Sequence, residues 1–108
     1  MTNATDHITE RDFQTTVVEM ARVLGWSVHG VLEQRKYAKR LSKGFPDLVL
    51  ARQAKAGWWG RVIYAELKSQ KGRVSPEQQA WIDLLKACHQ EVYLWRPSDM
   101  ADIERVLK

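Results

Sequence analysis

A small α/β fold, a mixed sheet flanked by helices, is what this chain predicts. Three observations carry it. Apolar residues recur at three- and four-residue spacing from Glu10 to Leu24 and again after Ser75, as amphipathic helices require. Four short runs of strand type lie between and beyond them. The second helical stretch separates the third strand from the fourth, and a right-handed crossover of that kind sets two strands parallel, whereas a glycine-bearing loop between the second and third sets those antiparallel.

Taken in order, residues 1–7 read as a flexible leader. Thr9 is the expected N-cap of the first helix, with Asp12 three residues on as a weak capping box. Phe13, Val17, Met20, Ala21 and Leu24 form its apolar stripe, and Gly25 ends it. Residues 26–31 read as a strand. A second strand runs over 47–51, with Pro46 where no ladder hydrogen bond is lost. Residues 53–60 hold two glycines and read as a hairpin loop. The third strand covers 61–68, with Ile63, Ala65 and Leu67 on one face and Tyr64, Glu66 and Lys68 on the other. Gln70-Lys71-Gly72-Arg73 is a basic turn. Ser75 with Pro76 and Gln78 is a strong helix start, followed by a stripe of Trp81, Leu84, Leu85 and Cys88. Residues 91–95 form a fourth strand; Pro97 breaks it, and Ser98 caps a last short helix to Leu107. The order is α-β-β-β-α-β-α in a single domain spanning 1–108.

The 108 residues suffice for one core. No apolar run approaches the roughly 18 residues of a membrane span, and the polar N-terminus lacks the apolar region of a signal peptide. The single cysteine, Cys88, excludes an intrachain disulfide and fits a cytoplasmic setting as a small buried side chain. No Cys/His cluster of zinc type is present. The formal charge of +4 is compatible with a nucleic-acid partner. It is also concentrated: Arg35, Lys36, Lys39, Arg40 and Lys43 against Glu33 give five minus one, the whole excess of the chain. Such a segment is either a solvated loop or a phosphate-contacting arm, and its position directly before Asp47 favours the arm.

Charge in two of the strand-like runs points to chemistry. Gly44-Phe45-Pro46-Asp47-Leu48-Val49-Leu50 opens on an acid, and Tyr64-Ala65-Glu66-Leu67-Lys68 carries an acid and an amine two apart on one face. Charges on a near-buried strand are costly unless they are paired or hold a metal. Hairpin pairing lets Asp47 and Glu66 converge on one cation. Mg²⁺ takes oxygen ligands, and two carboxylates, a backbone carbonyl, substrate phosphate and water fill its shell. Lys68 can orient the attacking water or neutralise charge on the phosphate. The plainer reading is a same-face Glu66–Lys68 ion pair and an Asp47 that merely starts a strand. An E-x-K triplet alone is weak; combined with Pro-Asp at an earlier strand start it is much more specific.

With Ser75-Pro76-Glu77-Gln78, Trp81 and the early Glu10-Arg11-Asp12-Phe13-Gln14 added, the chain resembles the VRR-NUC branch of the PD-(D/E)XK nuclease superfamily from Glu10 to about Trp95. The resemblance implies a restriction-endonuclease-like α-β-β-β-α-β core, Mg²⁺ or Mn²⁺ dependence and phosphodiester cleavage in DNA, with a stand-alone homodimer acting on branched or junction DNA. Carried onto this chain it makes Asp47 and Glu66 metal ligands with the Leu67 carbonyl as a third, Lys68 the catalytic lysine, and Gln78 and Glu10 further catalytic-site residues. Gln14, one turn after Glu10, is the other candidate for the inward position.

Arg35, Lys36, Lys39, Arg40 and Lys43, with Lys71 and Arg73, are the expected nucleic-acid contacts. Trp26, Trp81 and Trp95 are expected core residues. Trp58-Trp59, in the hairpin loop, suggests contact with an unpaired base or a dimer partner, or simple packing over the sheet edge. His29 faces the site or is an ordinary satisfied polar group. Two other functions stay open: a non-catalytic DNA-binding module and an assembly module built on the Trp58-Trp59 loop.

Overall fold

The computed structural model describes residues 4–30, 43–57 and 59–108. The first helix, α1 (Glu10–Val23), starts where expected: Asp12 N–H donates to Thr9 Oγ1 at 3.0 Å. It ends on Gly25, whose φ of +91° is the left-handed conformation glycine adopts without strain. Strand β1 (Ser27–Gly30) follows, then β2 (Leu48–Arg52), β3 (Arg61–Leu67), helix α2 (Pro76–Ala87), β4 (Glu91–Trp95) and helix α3 (Met100–Leu107).

The sheet order is β1-β2-β3-β4. β1 pairs antiparallel with β2, β2 antiparallel with β3, and β3 parallel with β4 across the α2 crossover. The expected topology is the observed one. Alternation along β3 separates two layers. Ile63, Ala65 and Leu67 are fully buried against Phe13, Val17 and Ala21 of α1 and Ile103 and Leu107 of α3. Each large side chain so buried contributes roughly 1.5–3 kcal/mol. The other face of the sheet receives α2 through a smaller cluster of Ile82, Leu85 and Val92, with Tyr64, Trp81 and Leu94 packed against it.

Several expectations change in detail. The leader is not wholly irregular: Ala4–His7 form a 3-10 turn, and Asp6 pairs with Lys71 at 3.3 Å. Asp47 precedes β2 instead of opening it, and Trp26 precedes β1 as a buried residue whose Nε1 donates to the Leu107 carbonyl at 2.8 Å. On α2 the inward residues are Ile82 and Leu85, while Leu84 is 53% exposed. Cys88 is exposed: it is the C-cap of α2, beyond the last inward residue, Leu85. Ser98 caps nothing: it lies within a 3-10 turn, Pro97–Asp99, that leads straight into α3, and its hydroxyl accepts from Gln70. Trp26 and Trp95 are core as expected, each 3% exposed, and Trp81 is half-buried.

Candidate active site

The antiparallel register of β2 and β3 ends with Leu48 opposite Ala65. Continued by one residue it sets Asp47 opposite Glu66, and by two, Pro46 opposite Leu67. The two acids therefore meet at one end of the sheet, on the face that carries Tyr64. This juxtaposition follows from the hairpin register alone.

The backbone there is incomplete in a specific way. Lys68 N–H donates to the Trp95 carbonyl on the β4 side at 3.0 Å. The preceding residue, Leu67, thus turns its polar groups toward β2. Its N–H donates to Asp47 Oδ2 at 2.9 Å. Its carbonyl faces Pro46, which has no N–H to offer.

Glu66 is 1% exposed. Its Oε1 accepts from Gln78 Nε2 at 2.9 Å, while Oε2 is buried with no hydrogen-bond partner. Burial raises the Glu66 pKa first, then the charge of the neighbouring Asp47, to which only a protonated Glu66 could donate; Lys68 pulls the other way and Glu10 adds a further raising charge, for a value pushed up to about 9. A carboxylate held this way is unfavourable in the bare protein, and its empty lone pairs suit a hard cation. Among the described residues no three His, Cys, Asp or Glu side chains gather as a metal cluster. The donor set that fits a divalent ion is two carboxylates, Asp47 and Glu66, and the Leu67 carbonyl.

Gln78 is oriented by its own helix cap. Its Oε1 accepts from Ser75 N–H at 2.9 Å while its N–H donates to Ser75 Oγ at 3.1 Å, a complete capping box. With the oxygen held there, the amide nitrogen is left for Glu66. The cap motif that starts α2 also aims a donor at the site.

Two approaches to Asp47 escaped the sequence reading. Gly44 has φ of +86°, and a Cβ there would lie 2.5 Å from the Glu77 carbonyl carbon and 2.7 Å from Gln78 N. The backbone before Asp47 thus rests directly on the first turn of α2. Phe45 packs edge-on to Trp81 at 5.0 Å and to Tyr64 at 6.0 Å, tying the same segment to α2 and to the sheet face beneath it. A glycine and an aromatic just before Pro-Asp are the visible signal, but it has no fixed meaning without the helix that they meet.

The helix α1 supplies both candidates for the inward position, in different roles. Gln14 is the buried one, at 6% exposure. Glu10, half-buried in the first turn, reaches Glu66 through its charge. His29 is exposed. After β3 the chain turns through residues 69–72, where Arg96 Nη1 donates to the carbonyls of Ser69, Gln70 and Gly72 at 2.8, 3.2 and 2.8 Å. Arg96, also unforeseen, sets the path of the chain leaving Lys68.

Of the expected nucleic-acid contacts, Lys43 pairs with Glu77 at 3.2 Å and Lys71 with Asp6, both lysines largely exposed, and Arg73 is exposed. An exposed pair such as Lys43–Glu77 is weak and exchanges readily for other anions, whereas the Asp6 partner of Lys71 is largely buried. Arg35, Lys36, Lys39 and Arg40 lie outside the described residues, as does Trp58.

Fold and site together define a mixed α/β domain with an acidic, cation-fitting sheet end. Residues 9–98 match the VRR-NUC domain family, so the chain belongs to that family, a branch of the PD-(D/E)XK nucleases. A solved structure described as a VRR_NUC domain protein is similar over 93% of this chain and 85% of its own, with a TM-score of 0.65 at 18% identity, a likeness of fold. No curated protein matches. Family membership implies a nuclease acting on DNA.

Proposed function

We propose that the chain is a divalent-metal-dependent DNA endonuclease, selective for branched or flap-like structures. The observation that carries the reading is Asp47 set opposite a buried Glu66 whose Oε2 has no partner. Asp47, Glu66 and the Leu67 carbonyl would hold Mg²⁺ or Mn²⁺. Such an ion, when bound, polarises a phosphoryl oxygen and lowers the pKa of a water nucleophile.

The chain's own residues do the rest. Burial favours a protonated Glu66, so holding a cation would require its ionised form and would couple metal affinity to pH. Gln78 holds Glu66 in one orientation through Oε1. Lys68, on the same strand face as Glu66, orients the attacking water or offsets charge developing on the phosphate. Lys43, Lys71 and Arg73, with the basic segment around Arg35, Lys36, Lys39 and Arg40, neutralise backbone phosphates. The same reading covers one nuclease domain over 1–108, working in the cytoplasm as a homodimer, since a two-fold pair of sites suits a symmetric junction.

The test is a digest of four-way junction, flap and linear duplex with Mg²⁺, Mn²⁺ or EDTA. Cleavage of a branched substrate is expected only with metal. Glu66→Ala and Asp47→Ala should each lower it by roughly a hundredfold to a thousandfold or more, and calorimetry should register loss of metal binding. A Glu66→Ala protein that cuts like wild type ends the proposal. Salt-dependent binding with no cleavage under any metal would leave a DNA-binding module instead.

A further inference from the structure

The far end of the same sheet carries a second feature that the acidic site does not use. Arg52 opposite Arg61 is the last rung of the β2–β3 ladder. Beyond it a groove of about 470 Å³ is lined by Arg52, Gln53, Lys55, Trp59, Arg61 and Lys108. Four of the six are cationic and none is acidic. Trp59 is 92% exposed, far more than any core aromatic of this chain. An indole left in water beside cations is a costly arrangement for a residue with only a packing role.

We infer that this groove is a second nucleic-acid contact, in which Trp59 stacks on an unpaired base while the cations meet the adjoining phosphates. The inference rests on the nucleic-acid reading above and deepens it, naming the substrate feature recognised. Base stacking on an exposed aromatic next to a positive groove is how single strands are held without sequence preference. Charge complementarity separates this occupant from a second copy of the chain: a two-fold contact through the groove would set the same cations against themselves.

Distance sets where on the substrate the contact falls. From Arg52–Arg61 to Asp47–Glu66 is five residues along the ladder, roughly 17 Å at 3.4 Å per residue. Arg52 and Arg61 also share the sheet face of Ile63, opposite that of Glu66, so the path is at least this long. At about 3.4 Å per nucleotide of stacked strand, the unpaired base lies five or more nucleotides from the cut. A tail, flap or open arm reaches it; the base pairs flanking the scissile bond do not.

The four cations do not carry equal weight in a test. Arg52 and Arg61 bond to the carbonyls of Leu107 and Val106, and Lys108 pairs with Glu104 at 3.3 Å, so their removal disturbs α3. Trp59 and Lys55 are the informative positions. Binding is measured by fluorescence anisotropy in EDTA, with the full chain, on a blunt duplex and on the same duplex bearing a single-stranded tail. Trp59→Ala should weaken tailed DNA by roughly 5- to 100-fold, the range one stacked base supports, and move the blunt duplex less than about twofold. Trp59→Phe should restore most of the loss. Lys55→Ala should weaken both and reduce the salt slope by about one.

Trp59→Ala binding tailed DNA as wild type does overturns the inference. So does a Trp59→Ala protein that sediments as a smaller species than wild type, since the face would then join two copies. Trp59-dependent binding in a chain that cuts nothing with metal would remove the nuclease reading and leave this contact standing.

Discussion

The two ends of the central sheet treat buried charge in opposite ways. At the Arg52–Arg61 end the half-buried charges Arg52, Arg61 and Glu91 all have partners. Arg61 is bonded to Glu91 through Nε at 3.2 Å and through Nη2, and Tyr93 Oη donates to Glu91 at 2.7 Å. Arg52 and Arg61 lie over the Trp26 ring, 4.4 and 5.3 Å from its centroid. Arg52 also donates to the Leu24 and Leu107 carbonyls, at the C-terminal ends of α1 and α3, where helix dipoles favour a cation. At the Asp47–Glu66 end two acids face each other and one buried oxygen has nothing to bond. Satisfied charge holds the fold together; unsatisfied charge of one sign is a cost that only a ligand of the other sign removes. The difference between the ends is therefore a physical marker of which one suits a cation.

The largest expected effect comes from neutralising the unsatisfied end. Glu66→Gln should abolish cleavage, yet make the metal-free protein more stable by on the order of 1–3 kcal/mol, the usual penalty of an unsatisfied buried polar group. The sign follows from the raised pKa. Wild-type stability from Glu66 is fully present below its unfolded value of 4.5 and is lost as pH rises through about 9. The advantage of the glutamine variant should accordingly be small at pH 4 and grow toward pH 9. Thermal melts in EDTA across that range measure it, and a variant less stable than wild type at pH 8 would contradict the comparison.

Gly44→Ala comes next. It combines a φ of +86° with a Cβ 2.5 Å from the Glu77 backbone, so something must shift. A loss of about 1–3 kcal/mol is expected. Because the shifted backbone leads into Asp47 and rests on Gln78, cleavage should fall as well, at temperatures where the variant remains folded by circular dichroism.

The smallest effect belongs to the satisfied end. Arg61 and Tyr93 hold Glu91 below the usual carboxylate range against the opposing effect of burial. That stability is present above pH 4.5 and is lost as pH falls through the lowered value. Glu91→Gln should cost about 1 kcal/mol or less at pH 7, because the pair is partly exposed. Melting curves of variant and wild type should converge as pH falls below the ordinary carboxylate range, with cleavage at pH 7 unaffected.

Some of the molecule was legible before any coordinates. Thr9 and Ser75-Pro76-Glu77-Gln78 announce helix starts because a cap is settled within four residues. The alternation of Ile63, Ala65 and Leu67 with Tyr64, Glu66 and Lys68 is a property of any strand. The two carboxylates were readable as a pair because a hairpin makes the two strands neighbours and the buried face limits their register. Where the expectation failed, the deciding contact was distant. Cys88 looks apolar-flanked in sequence, but whether a helix end meets the sheet depends on the crossing of α2. Ser98 has the chemistry of a cap, yet its hydroxyl is engaged by Gln70, 28 residues away.

By itself, then, the order of residues determined the elements, the faces of α1 and β3, the family and the identity of the acids at the sheet end, because each rests on interactions spanning a few positions or on a recurrent motif. Only the tertiary structure decided that Gln14 is buried while Glu10 acts on Glu66 through its charge, that Gln78 aims its amide at Glu66, that Gly44 lies on the backbone of α2, and that Trp26 reaches Leu107 across 81 residues. Burial and hydrogen-bond partnership belong to the packed assembly, and no local pattern encodes which distant atom will fill the remaining bond.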